Sequence, residues 1–166
     1  TSFNSLKTLH GGLRSLQALN LKQMRLFIRE RRAMAQMAPH LVDPLPFCVP
    51  TYRHPTRNGL ALSFALAVTD AVGYDRNHGI VDEALRLPRG KVVPASECLA
   101  LNPLVDPEGV TGGAVWYDYQ MRQVERVTLS AVRSAADAGA VVANEVEALG
   151  LTTTGGRTVD GLDVRD

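Results

Sequence analysis

The chain has 166 residues, 45% hydrophobic and 21% charged, a mixture that buries a core and stays dispersed in water. With 18 Lys and Arg against 17 Asp and Glu the net charge is +1, so no global field captures nucleic acid or an anionic membrane, and any anion site has to be local. The most apolar stretch, Leu60 to Val68, falls far short of the roughly 20 residues that span a bilayer, which excludes a transmembrane helix.

In chain order, the first feature is a dense polar cluster: Thr1, Ser2, Asn4, Ser5, Lys7, His10, Gly11, Gly12 and Arg14. Hydroxyls, cations and a glycine pair in one short stretch suit a phosphate or flavin site, because Gly lets a backbone come close and exposed N–H groups bond anions. The same composition also makes an ordinary polar turn. Leu21, Met24, Phe27, Ile28, Met34, Ala35 and Ala38 recur at threes and fours and predict a helix over 16–38, stopped by Pro39. Its other side carries Lys22, Arg25, Arg29 and Arg32, with Arg31 intruding on the apolar stripe. Without interleaved aromatics this run reads as a solvated face, and nucleic acid is not an expected partner.

Prolines crowd the stretch from Pro39 to Pro55, which excludes a helix and predicts an extended segment, Pro46 to Tyr52, at a sheet edge. Asn58 caps a mostly buried helix from Gly59 or Leu60 to Val72, closed by Gly73. Residues 74–93 show no regular element. A short helix, Ser96 to Leu101, precedes a strand, Ala114 to Tyr117, and an amphipathic helix, Val124 to Ala138, with Val127, Ala131 and Ala135 on its stripe. Ala140 to Leu149 reads as a strand of the same sheet, packed under that helix, and the Gly155–Gly156 turn joins it to Thr158 to Val164. The class is α/β or α+β, a mixed sheet with covering helices. Cys48 and Cys98 have no metal-ligand spacing and make no disulfide framework, so both read as buried thiols in a reducing compartment, the cytoplasm by default, and no metal site is expected.

The opening run, Thr1, Ser2, Ser5, Lys7, His10, Gly11, Gly12, Leu13, Arg14, resembles the T-S-S-x-S-S-K-x-I-H-G-G-L-R-Y motif of FAD-dependent glycerol-3-phosphate dehydrogenases. Arg29 to Arg32, Ala38, Pro39, His40, Leu41, Pro44, Leu45 and Pro46 are similar to that family's R-E-R…A-P-H-L segment and the proline-rich strand after it. Trp116, Tyr117, Asp118 and Gln120, the following helix and Gly139 to Val142 resemble the segment that returns the chain to the FAD-domain sheet. Ser15 stands where the family has Tyr, Phe3 and Leu6 replace serines, and Arg122 and Gln123 occupy positions often acidic.

The resemblance implies FAD as cofactor, contacted by Thr1, Ser2, Lys7, His10, Gly11, Gly12 and Leu13, with Arg14 toward the substrate. An Arg suits that place because its planar fork bonds two oxygens and stays charged. It implies hydride transfer from a polyol phosphate or related small molecule to FAD, and leaves the catalytic residue unassigned. It also divides the chain into a flavin-contacting segment (1–15), a helix (16–38) and a substrate-side α+β region (39–166) that is the middle part of a two-domain enzyme. No G-x-G-x-x-G precedes Thr1, so the expectation is a fragment lacking the Rossmann-type unit, inactive alone, not retaining FAD and prone to self-association, its first fourteen residues loosely held. By the same analogy the parent is cytoplasmic or peripheral to the membrane. The alternative is a non-catalytic, stand-alone binding or assembly domain.

Overall fold

The computed structural model describes residues 4–54 and 58–166. In chain order the elements are β1 (Thr8–Leu9), α1 (Leu21–Met37), β2 (Val42–Tyr52), α2 (Gly59–Val72), β3 (Lys91–Pro94), α3 (Ala95–Leu101), β4 (Val110–Met121), α4 (Val124–Asp137), β5 (Glu147–Thr154) and β6 (Thr158–Arg165). Short 3-10 turns lie at Leu13–Leu16, Pro39–Leu41 and Glu83–Leu85. The mixture of helix and strand is that of the expected class, and every described strand pairing is antiparallel. The chain forms two compact units, Thr1–Val127 and Thr128–Asp166.

The first unit is organised around β4, which pairs with β2 along its whole length. Pro44, Pro46 and Pro50 of β2 lie opposite Tyr119, Tyr117 and Gly113. Because they occupy alternate positions, each missing N–H falls on the outward edge and no ladder bond is lost. The other edge of β4 is shared: β1 pairs at Tyr119 and Gln120, and β3 at Gly112 to Val115. Trp116, Tyr117 and Asp118 have no strand partner on that edge among the described residues.

One face of β4 carries Val115, Tyr117 and Tyr119 into the core. Ala35, Val42, Ile80, Leu85, Leu87 and Tyr119 form one cluster, and Val93, Cys98 and Val115 a second. The opposite face carries Ala114, Trp116, Asp118 and Gln120, paired in register with Val49, Phe47, Leu45 and Asp43. This second face holds the candidate site.

Four expectations need correction. The second helix, α2, expected to be mostly buried, buries only Leu66 and leaves Leu60 and Phe64 largely exposed. The first helix begins at Leu21 and not at residue 16: Leu13–Leu16 is a 3-10 turn, Leu19 has φ 51°, and the Asn20 side chain caps the helix by accepting from the Gln23 N–H at 3.0 Å. Residues 74–93 are not featureless, since they contain a 3-10 turn and β3, and the Asn77 amide brackets Leu87 by bonding both its N–H and its C=O at 2.9 Å. In the second unit the strand starts at Glu147 and pairs with β6, not with β4. Glu145, at φ 61°, turns the chain ahead of it, and Gly155 and Gly156, at φ 61° and 68°, close a tight hairpin at low loop-closure cost. Val127 is half-buried and Ala131 exposed, where a buried stripe was expected. No residue from 128 to 166 is buried.

Candidate functional site

The site is a turn between β1 and the first 3-10 segment, laid against the polar face of β4. β1 is too short to hold itself, and side chains and backbone of β4 anchor it: the Met121 N–H donates to the Lys7 carbonyl at 2.7 Å, and the Gln120 amide donates to the same oxygen at 3.1 Å. Beyond β1 the Gly11 N–H donates to Asp118 Oδ1 at 2.7 Å. Arg31 of α1 donates to that same oxygen and, at 3.1 Å, to the Tyr117 carbonyl. The Arg31 and Asp118 side chains are only 7% and 5% exposed. Burial pulls the Arg31 guanidinium below its usual value while Asp118 supports the charged form. Residues 8–14 are thus built into the sheet rather than loosely held.

Both glycines are required by what surrounds them. A Cβ on Gly11 would lie 2.3 Å from Arg31 Nη1 and 3.0 Å from Asp118 Oδ1. Gly12 has φ +78°, and a Cβ there would lie 2.8 Å from the Phe27 ring and 3.2 Å from the Met24 backbone. The pair therefore lets the turn lie flat on α1 and over the buried ion pair.

His10 stands at the lip of this turn with its side chain 55% exposed, its Nδ1 3.5 Å from Asp118 Oδ2. Its ring lies 6.2 Å from Phe47, which stacks on Trp116 at 5.4 Å and 11°. Leu13 and Lys7 are half-buried, and Arg14 is exposed without a carboxylate partner among the described residues. Thr1 and Ser2 lie outside the described residues. Behind the turn, a cavity of about 30 Å³ between Gly11, Arg31, Asp70, Arg76 and Trp116 has room for a water and not for a substrate. His10 and Arg14 are both exposed on this turn.

Asp118, Arg31, Phe47 and Trp116 were not singled out as site residues from sequence. A signal was present for two of them: Arg31 breaks an apolar stripe and Asp118 breaks an apolar strand, and buried opposite charges are paired. The basic run resolves in the same way. Arg25 grips Asp75 with both terminal nitrogens, one at 2.7 Å, Arg32 bonds the same carboxylate, and Arg31 is buried, so only Lys22 and Arg29 face solvent unpaired among the described residues. Arg122, at a departure from the family pattern, pairs with Asp43 across the sheet at 2.5 Å.

A model of the FAD dependent oxidoreductase family matches residues 1–165. The chain belongs to this family. Among curated relatives of this FAD-dependent oxidoreductase chain, a glycerol-3-phosphate dehydrogenase of Mycobacterium leprae is 36% identical over the whole chain and one of Synechocystis is 30% identical over 91% of it. An alpha-glycerophosphate oxidase of Enterococcus casseliflavus is 27% identical over the whole chain. The chain spans about a quarter of their lengths, 26% in each case. The crystal structure of a Bacillus halodurans glycerol-3-phosphate dehydrogenase complexed with FAD matches all of this chain with a TM-score of 0.56 at 19% identity, over 23% of its own length, which shows a shared fold.

The donor set fits the family's cofactor. Gly11 and Gly12 let the turn lie close against Arg31, Asp118 and Phe27, and the amides of Gly12, Leu13 and Arg14 stand at the start of a 3-10 turn, where the helix itself supplies no acceptor. The stacked Phe47 and Trp116 offer an apolar, half-buried surface beside them. Among the described residues there is no cluster of His, Cys, Asp and Glu able to hold a metal, and no helix is long and apolar enough to cross a membrane.

Proposed function

We propose that this chain carries the flavin-contacting turn and part of the substrate-side sheet of an enzyme that oxidises glycerol 3-phosphate or a closely related polyol phosphate. The observation that carries this reading is the turn itself: the buried Arg31–Asp118 pair holds the Gly11 amide and lies beside His10, and the His10 and Arg14 side chains of the same turn are exposed. The names of the curated relatives, dehydrogenase and oxidase alike, support the substrate class. In this reading residues 1–15 contact the flavin, with Thr1, Ser2, Lys7, His10, Gly11, Gly12 and Leu13 as contacts, and residues 39–166 contribute the substrate side.

FAD, when bound, supplies the hydride acceptor. The chain's own residues do the rest. Oxidising an alcohol also releases the hydroxyl proton, and the Nε2 atom of His10, the ring nitrogen turned away from Asp118, is the group of this turn that takes it. Arg14 holds the substrate phosphate by charge and by its two-nitrogen fork.

The test is steady-state kinetics on the full-length, FAD-loaded protein with glycerol 3-phosphate and unphosphorylated glycerol. Arg14→Lys is expected to lower kcat/KM for the phosphorylated substrate by roughly tenfold to a hundredfold, the loss of a contact of about 1.5 to 3 kcal/mol, with flavin content unchanged. Equal activity of Arg14→Ala and wild type on every anionic substrate would remove Arg14, and the phosphate reading with it.

A further inference from the structure

We infer that Asp118 is a positioning residue for the oxidation, setting which nitrogen of His10 carries the proton, and that Arg31 and the Gly11 N–H hold Asp118 in the one orientation that allows this. The inference rests on the proposed reading of the site.

The two oxygens of Asp118 have different tasks. Oδ1 is saturated from the protein side by the Gly11 N–H at 2.7 Å and by the Arg31 guanidinium, whose other bond, to the Tyr117 carbonyl, fixes it to β4. The carboxylate therefore cannot rotate without breaking a buried ion pair and stripping a buried amide. Oδ2 is left facing His10 Nδ1 at 3.5 Å. A carboxylate oxygen only accepts, so a neutral imidazole beside it keeps its proton on Nδ1 and presents a lone pair at Nε2. Packing against Phe47 limits the ring's swing away from that oxygen. The exposed nitrogen is thus the basic one, on the side a substrate approaches. The bare Gly11 Cα gives the carboxylate and guanidinium room to sit under the turn, and the left-handed Gly12 lets the chain pass close over Phe27 and Met24 of α1.

An amide in place of the carboxylate inverts this arrangement. In Asp118→Asn the carbonyl oxygen must stay with the Gly11 N–H and Arg31, which both donate, so the NH2 group is turned to His10. It donates to Nδ1, drives the imidazole proton to Nε2, and removes the acceptor while the turn stays in place.

The experiment uses the full-length FAD-loaded protein with glycerol 3-phosphate. Asp118→Asn is expected to lower kcat by about 100-fold or more while KM stays within about threefold and flavin content is unchanged. In 15N spectra of histidine-labelled protein, with the His10 signal assigned by its loss in His10→Gln, the proton sits on Nδ1 in wild type and on Nε2 in the variant. Asp75→Asn, which breaks an ion pair of the same helix away from the turn, serves as the stability control: it lowers the melting temperature and leaves kcat unchanged. If Asp118→Asn does not fold because Arg31 is stranded, Arg31→Met with Asp118→Asn removes both charges, and it is expected to regain the melting temperature but not kcat.

A kcat within about threefold of wild type, the same tautomer in both proteins, or kcat recovering together with stability in the double variant would make the pair structural and overturn the inference. So would failure of both variants to give folded, flavin-bearing protein. A wild type that turns over no polyol phosphate overturns the functional reading and this inference together, whereas an active wild type with an unaffected Asp118→Asn overturns this inference alone.

Discussion

Asp75 shows how a single carboxylate ties two elements together. It lies just past the C-terminus of α2 and takes bonds from Arg25 and Arg32, about two helical turns apart on α1, while Arg25 also stacks over Tyr74 at 5.0 Å. The Arg25 and Arg32 guanidinium groups hold this carboxyl well below the usual carboxylate range. A depressed carboxyl contributes stability that is fully present above its unfolded value, near pH 4, and is lost as pH falls toward the folded value. Asp75→Asn is therefore expected to cost about 2 kcal/mol at neutral pH and to flatten the acid limb of the stability curve below about pH 4, as measured by urea denaturation at a series of pH values. At Gly12 the effect is steric: Gly12→Ala combines a left-handed backbone with a contact on the Met24 backbone that no side-chain rotation relieves, and is expected to cost about 2 to 4 kcal/mol in the same measurement.

Elements were legible where the local signal and the tertiary environment agree. The proline spacing in β2 is itself a statement that one edge of the strand is free, and Asn58 does cap α2, accepting from the Ala61 N–H at 2.9 Å. Boundaries were lost where a non-glycine residue takes a left-handed conformation, as at Leu19 and Glu145, because nothing in those side chains announces it. β3 was missed because four residues between Gly90 and α3 become a strand only by pairing with β4, a contact made across the fold. The His10 to Arg14 turn was visible as a motif, while its support was not, since Arg31 and Asp118 are 87 residues apart in the chain. Of the two cysteines, both read as buried thiols, Cys98 is buried and Cys48 half-buried, and they pack together: Cys48 Sγ of β2 and Cys98 Sγ of α3 are 3.6 Å apart, and Gly113 lies where a Cβ would meet Cys98 Sγ at 2.7 Å. Burial pushes the Cys48 thiol up to about 11, so at neutral pH almost no thiolate is present to react. Neither cysteine is expected to take up iodoacetamide at pH 7 in the native protein, and both are expected to in urea; rapid native labelling would contradict this packing.

At the scale of the whole molecule, the two units differ in how they are held. The first has a buried core on one sheet face. The second buries no side chain, and Leu129, Leu149, Leu151, Val159 and Leu162 are each more than half exposed. Exposed apolar side chains of this kind favour association in solution. The 166-residue chain by itself is accordingly expected to sediment as concentration-dependent oligomers and to retain no flavin absorbance after desalting. A monodisperse, yellow monomer would contradict both expectations.

The interrupted edge of β4 gives Arg31 a further meaning. Between β1 and β3 the strand lacks a neighbour at Trp116 to Asp118, and Tyr117, opposite Pro46, directs its carbonyl into that gap. Arg31 fills it, so one guanidinium substitutes for a missing piece of backbone while neutralising the carboxylate next door. A helix side chain thereby acts as a rivet in the sheet, and shear between the β1 end and the β3 end of that edge is resisted by α1 rather than by a strand. Loosening of α1 and loss of the His10 turn are then expected to be one mechanical event.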